Sequence, residues 1–228
     1  MTSMTLISTD SRDPWVRRLL LPAYQVRDAA RYAGIVGQTV RNWQRAGRDA
    51  GAVIAPRKQR EALSYLQLQE LAIVSAMREQ GIKLEKIRLA RDYLSSRFML
   101  EFPFADPRVK SDGQDVLMEF KEELGGAARL IVANRGGQYV WQDIIGRRFD
   151  EFEYENDLAV RWRMAGDRVG IIIDPRICYG APAVKGVPTW ALLGRFKAGE
   201  AVADLAADFL ISRADVRKGL KFEGITLH

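Results

Sequence analysis

Four polar residues, Gln38, Arg41, Asn42 and Arg45, recur at i, i+3, i+4 and i+7. On a helix that spacing gathers them on one face. Their chemistry suits the edges of bases: a guanidinium meets guanine bidentately, and the amides of Asn and Gln do the same for adenine. Thr39 stands beside them at the start of the same helix. A little further on, Arg57, Lys58 and Arg60 follow Pro56, a cluster suited to phosphate rather than to bases. A third basic set, Arg213, Arg217, Lys218 and Lys221, lies near the C-terminus, with Arg213, Arg217 and Lys221 at i, i+4 and i+8. Taken alone, each set also reads as a solvated charged surface. The elements that carry them decide.

The base-reading face follows a support. Val26, Ala29, Ala30 and Ala33 form an apolar stripe at i, i+3, i+4 and i+7. Gly34 ends that helix by supplying the positive φ a tight turn requires, and Ile35 and Val36 plug the turn. A second helix is predicted from near Gly37 to Arg45, with Val40 and Trp43 turned toward the first. A helix, a short glycine turn and a helix with a polar face make a helix-turn-helix. "AVI" (52–54) and "EAL" (61–63) predict a short hairpin, a wing with Arg57, Lys58 and Arg60 near its tip. Ser64-Tyr65-Leu66-Gln67 has the S-x-x-Q form of a capping box. The helix it opens carries Leu66, Leu68, Leu71, Ile73, Val74 and Met77, and the next one aligns Leu84, Ile87, Ala90 and Leu94; both stripes read as core.

From Phe98 the texture changes. β-prone runs flank Asp-Gly, Asn-Arg-Gly-Gly and Ala-Gly-Asp, which argues for a small antiparallel β region. "DPRICYGAPAVKGVPTW" is then a Gly/Pro-rich approach predicted to hold little regular structure. Three helices are expected after it, at Thr189–Lys197, Val202–Phe209 and Arg213–Lys221, the last capped by Ser212 with Asp215 at its favourable end.

The composition excludes several classes of chemistry. The only histidine among the 228 residues is His228, at the very end, and the only cysteine is Cys178. Histidine triads, histidine-rich metal sites, internal disulfides and cysteine-held zinc have no material to work with. There is no GxxxxGK[ST] and no GxGxxG, so no phosphate-cradling loop is indicated. No enzyme activity, metal or cofactor is expected. The carboxylates of 143–157, with "FDEFEYEND" at their centre, offer a metal or an acid–base pair in principle; the simpler reading is a polar face alternating with buried Phe152 and Tyr154. The net charge of +6 is uneven. Residues 1–100 hold 17 basic against 9 acidic groups, residues 101–170 hold 10 against 14, and residues 171–228 hold 8 against 6. The basic first segment points to an anionic partner. No run is apolar and long enough for a signal peptide or a membrane span, so a soluble, cytoplasmic protein is expected.

The first segment resembles the MerR-like winged helix-turn-helix through Tyr24-x-Val26, Ala29-Ala30, Ala33-Gly34 and Thr39-Val40-Arg41-x-Trp43, continued by 63–94. The last resembles a bacterial helix-turn-helix family, the domain of unknown function numbered 433, through Asp174-Pro175, Ile177, Gly180-x-Pro182, Gly186-x-Pro188-Thr189, Gly199 and "SRADVRKGLKF". It departs from that pattern at Ala181 and at Val187-Pro188, where the family carries lysine and often Thr-Arg. Both motifs in this order resemble the VapB-like antitoxins, whose partners are PIN-like ribonuclease toxins. The resemblance implies a mainly α protein with a β-rich middle, α+β in class. Its parts would be a flexible arm (1–20), a MerR-like DNA-binding domain (21–98), a β-rich middle (99–170) and a C-terminal three-helix unit (171–228). It implies binding to operator DNA, repression of the chain's own operon and direct neutralisation of the toxin. A homodimer or larger is expected because one short recognition helix reads too few bases. Arg213, Arg217, Lys218 and Lys221 would face either the toxin's acidic site or a second stretch of DNA. The competing reading is a MerR-like one-component regulator with a small-molecule sensor in its β-rich middle.

Overall fold

The computed structural model describes residues 14–46, 51–58, 60–106, 147–155, 158–164 and 166–226. They fall into two compact units, one running to Asp150 and taking in Tyr154–Ala159, the other made of Glu151–Glu153 and the chain from Val160 on. The fold is mainly helical with one small sheet, the α+β class expected.

The first unit contains α1 (Pro14–Leu20), α2 (Val26–Ala33), α3 (Gly37–Trp43), α4 (Tyr65–Glu79), α5 (Leu84–Phe98), a 3-10 turn at Pro103–Ala105 and α6 (Arg147–Asp150). Helix α4 is its axis: α1, α2, α5, α6 and the 3-10 turn all pack on it. The capping box predicted at its start is present in full, with the Ser64 side chain accepting from the Gln67 N–H and the Gln67 side chain accepting from the Ser64 N–H. From Tyr65 to Met77 every residue of α4 is buried, so it is sheathed all round rather than along the single stripe its apolar residues predict. Helix α1 falls inside the expected flexible arm. Val16 and Leu19 are buried against α4 and fold residues 14–20 into the unit, while 1–13 lie outside the described residues.

The expected 52–54 to 61–63 hairpin does not form. Val53, Ile54 and Ala55 are fully buried, but among the described residues no strand pairs with them. Leu63 bridges Tyr24 instead, ahead of α2. Pro56, which lacks an N–H, interrupts any ladder.

The sheet runs in the order β1 (Phe152–Glu155), β2 (Leu158–Arg163), β3 (Ile171–Ile173), β4 (Ala183–Val184), β5 (Val187–Pro188). Of the predicted β runs, that around Ala-Gly-Asp appears as antiparallel β2 and β3, with Trp162 opposite Ile173; the other two lie largely outside the described residues. The Gly/Pro-rich approach is more regular than expected. Lys185 and Gly186, at φ 50° and 82°, make the tip of a two-residue hairpin between β4 and β5. Buried Asp174 caps the preceding turn at the Arg176 N–H and pairs with the guanidinium groups of Arg161 and Arg176, which hold its carboxyl below the usual range.

Helices α7 (Thr189–Lys197), α8 (Val202–Asp208) and α9 (Arg213–Phe222) match the predicted spans within a residue. Helix α9 packs on α7 and α8, and Gly219 is what lets it: a Cβ there would meet Leu192 at 2.6 Å. Among the described residues no helix is long and apolar enough to cross a membrane.

Among the described residues one turn joins a helix to the next four times. After α2, Gly34 donates to the Arg31 carbonyl, Ile35 to the Ala30 carbonyl, and an extended residue, Val36, starts α3. Gly81 and Ile82 repeat these bonds before α5, Gly199 and Glu200 before α8, and Leu210 and Ile211 before α9. The first residue of each pair has positive φ, and in three of the four it is glycine. Leu210, at φ 54° and 91% exposed, is the exception, and no burial offsets the cost of its side chain there. Leu210→Gly is therefore expected to stabilise the protein by roughly 1 kcal/mol, seen as a rise of a few degrees in the calorimetric midpoint of the second unit. A lowered midpoint would refute the strain.

Candidate nucleic-acid interface

Helix α3 presents the face its spacing predicts. Gln38, Arg41 and Asn42 are exposed, Thr39 is half-buried, and Val40 and Trp43 are buried on the other side; the helix ends at Trp43, two residues short of the predicted end, so the exposed Arg45 lies just past it. The exposed groups order one another: Gln38 Nε2 donates to Asn42 Oδ1 at 3.0 Å, and Arg41 Nε donates to Gln38 Oε1 at 3.4 Å. Such a chain limits the rotamers open to three side chains and leaves both amides with donors and acceptors to spare.

The segment after α3 is held without a β ladder. Gly51 donates to Asp92 Oδ2 of α5 at 2.9 Å, and Val53 donates to the last-turn carbonyl of Trp43 at 2.7 Å. Ala55 donates to Glu70 Oε2 at 2.6 Å, and Gln67 Nε2 donates to the Ala55 and Pro56 carbonyls at 3.1 and 2.8 Å. Side chains of α4 and α5 thus replace the missing partner strand. Of the three cations predicted near a wing tip, Lys58 and Arg60 are exposed. Arg57 is half-buried: its guanidinium donates to Gln44 Oε1 at 3.0 Å and to the Glu61 carbonyl at 2.6 Å, bracing this segment against the end of α3.

Glu70 is the residue that the sequence reading passed over. It is fully buried, and Arg91, itself nearly buried, approaches its second oxygen at 3.6 Å. Burial pushes its pKa from the usual 4.5 up to about 7, against the pull of Arg91 and of the Ala55 and Phe104 backbone amides; Glu101 adds to the rise. The signal was the run Gln67, Gln69, Glu70 inside an otherwise apolar helix, since buried polar groups need partners.

In the second unit, Arg213, Arg217, Lys218 and Lys221 are all exposed on α9, and Lys218 Nζ pairs with Asp215 at 3.1 Å. Of the middle carboxylates, Glu151 accepts from the Trp162 indole at 2.8 Å and Glu153 pairs with Arg161 and Arg163. Among the described residues no cluster of metal-ligating side chains is present.

Residues 171–222 match the family described as "Protein of unknown function (DUF433)". The chain is 26% identical to a protein of Mycobacterium tuberculosis (strain H37Rv) that carries the name "Putative antitoxin VapB45", over 89% of this chain and 94% of that one. The crystal structure of Rv2018 from Mycobacterium tuberculosis superposes with a TM-score of 0.73 at 25% identity, over 89% of this chain and 99% of that chain. The family match agrees with the resemblance to the family numbered 433, and the named mycobacterial relative agrees with the resemblance to VapB-like antitoxins.

The raised pKa of Glu70 sets a pH dependence. Between about 4.5 and 7 the folded state holds a proton that the unfolded state releases, so stability falls as pH rises through that window and levels off above it. The fall is on the order of 3 kcal/mol. Glu70→Gln keeps an acceptor for the Ala55 amide and is expected to remove this component when urea unfolding is followed at pH 5, 6, 7 and 8. A variant with the wild-type slope would refute the assignment.

Proposed function

We propose that this chain is an antitoxin that binds DNA, represses the operon encoding it, and neutralises a PIN-like ribonuclease toxin by direct contact. The observation that carries the reading is the likeness, along nearly the whole chain, to the mycobacterial protein that bears an antitoxin's name. The geometry of α3 supports the DNA half of it. In this reading residues 21–98 are a MerR-like winged unit. Gln38, Thr39, Arg41, Asn42 and Arg45 read bases, Lys58 and Arg60 contact phosphate, and Arg57 contributes charge while bracing them. The chain works in the cytoplasm, uses no cofactor and catalyses nothing.

A seven-residue recognition helix reads few bases, so the protein binds as a homodimer or larger, pairing half-sites about 34 Å apart. The toxin is covered by the part of the chain beyond residue 100. A PIN-like site gathers carboxylates around a divalent metal, and its partner must shut RNA out of that negative mouth.

The test begins with the DNA upstream of the chain's own reading frame. In gel-shift titrations Arg41→Ala is expected to weaken binding by about 1–3 kcal/mol and relax preference at one base pair. Lys58→Ala weakens binding to every sequence and flattens the salt slope by about one unit. Undiminished affinity in the triple variant R41A/N42A/R45A would sink the recognition-helix assignment. The product of the neighbouring reading frame is expected to co-purify with the chain and to cleave RNA only when freed from it. A neighbour that neither binds nor cleaves would sink the antitoxin reading.

A further inference from the structure

We propose that the second unit is itself a DNA-contacting helix-turn-helix, with α9 lying on the duplex and Lys185 at the β4–β5 hairpin tip touching phosphate beside it. The proposal rests on the reading of α3 given above and extends it to a surface that the same reading left undivided between toxin and DNA.

The argument starts from the recurring turn. Aligning its four copies puts α3, α5, α8 and α9 in one register, and in each the fourth helical residue, Val40, Ile87, Leu205 or Val216, donates to the capping residue and is buried. The next position holds Arg41 in α3 and Arg217 in α9; α5 has Arg88 there and α8 has Ala206. Four residues later stand Arg45, Lys221, Asp92 and Leu210. Of these four, only the segments that begin with α3 and α9 carry a cation at both positions. All four of these cations are exposed, with Arg45 two residues past the end of α3. The turn alone is a common device; its coincidence with this pair of charges singles out α9.

Two neighbours complete the surface. Arg213 opens α9, and its distance from Lys221 along the axis, about 12 Å, equals the width of a major groove. Strand β4 packs against α9, and Lys185 stands at the tip of the hairpin that β4 opens, its charge among those that hold the Asp215 carboxyl low. The acid is itself tied to Ser212 and Lys218, so the charge it offsets is that of Lys218.

The face differs from that of α3 in one respect. Where α3 has Gln38 and Asn42, α9 has Ala214 and Lys218. Amides that discriminate bases are replaced by groups that do not. Its contribution is therefore affinity for phosphate on any sequence, and a steeper salt dependence, with selectivity left to α3.

Fluorescence anisotropy of the full chain tests this with two 30-bp duplexes, one from upstream of its own reading frame and one of scrambled sequence, across a salt series. R213A/R217A/K221A is expected to lose at least tenfold in affinity on both duplexes and to flatten the salt slope by about two to three units, near 0.9 per contact removed. R213K/R217K/K221R, which keeps the charge, is expected to keep the slope. R41A/R45A should instead narrow the difference between the two duplexes. If the α9 triple variant unfolds, Lys185→Gln and Arg217→Gln are expected to flatten the slope by about one unit each. A wild-type slope in the folded α9 variants overturns the proposal while R41A/R45A still reports on α3. Wild-type DNA binding combined with lost silencing of the neighbouring nuclease also overturns it, assigning the cations to a protein partner. No change in either set removes both readings.

Discussion

The backbone that leaves α3 carries buried N–H and carbonyl groups with no strand beside them among the described residues. An unpartnered buried amide costs about 1–3 kcal/mol, so something must meet each one. Here Glu70, Gln67 and Asp92 reach out from α4 and α5 to Ala55, Pro56 and Gly51. Glu70 is the most constrained of the three. It binds Ala55 with one oxygen and turns the other toward Arg91, whose guanidinium in turn donates to the Glu101 carbonyl at 2.7 Å. Through one carboxylate the segment after α3, the axial helix and the chain beyond α5 are held in register.

The arrangement explains why α4 is buried on every side. A helix that must supply acceptors to one neighbour and apolar surface to several others cannot keep a solvent face. It also explains the division among the cations that follow Pro56. Arg57 is used up in fastening the segment to Gln44 and Glu61, which leaves Lys58 and Arg60 to project. The position of the exposed charges is thus a product of the buried ones.

The sequence makes α2, α3 and α7–α9 legible because each is marked at both levels that matter: apolar spacing along one face and a turn or cap at one end. Ser64, Gly34 and Ser212 act as their residue types predict. The α3 face was legible for the same reason. What was not legible has a common cause. The segment 51–58 takes its hydrogen bonds from side chains 11 to 41 positions away, which no local pattern reports. Helix α1 has only Val16 and Leu19 to announce it. The β4–β5 hairpin hides in a Gly/Pro-rich run because its turn uses Lys185 where sequence habit expects asparagine or glycine. Glu70 was missed because counting apolar residues passes over the polar one they enclose.

The repeated turn has an evolutionary corollary. Val40 and Val216 occupy the same slot, so the exposed residues on either side of them can be exchanged, helix for helix, without disturbing anything buried. Each outward face behaves as a cassette clipped into a fixed frame. Selection can therefore rewrite what the surface recognises one solvent-facing position at a time, along a path on which the interior is never asked to repack.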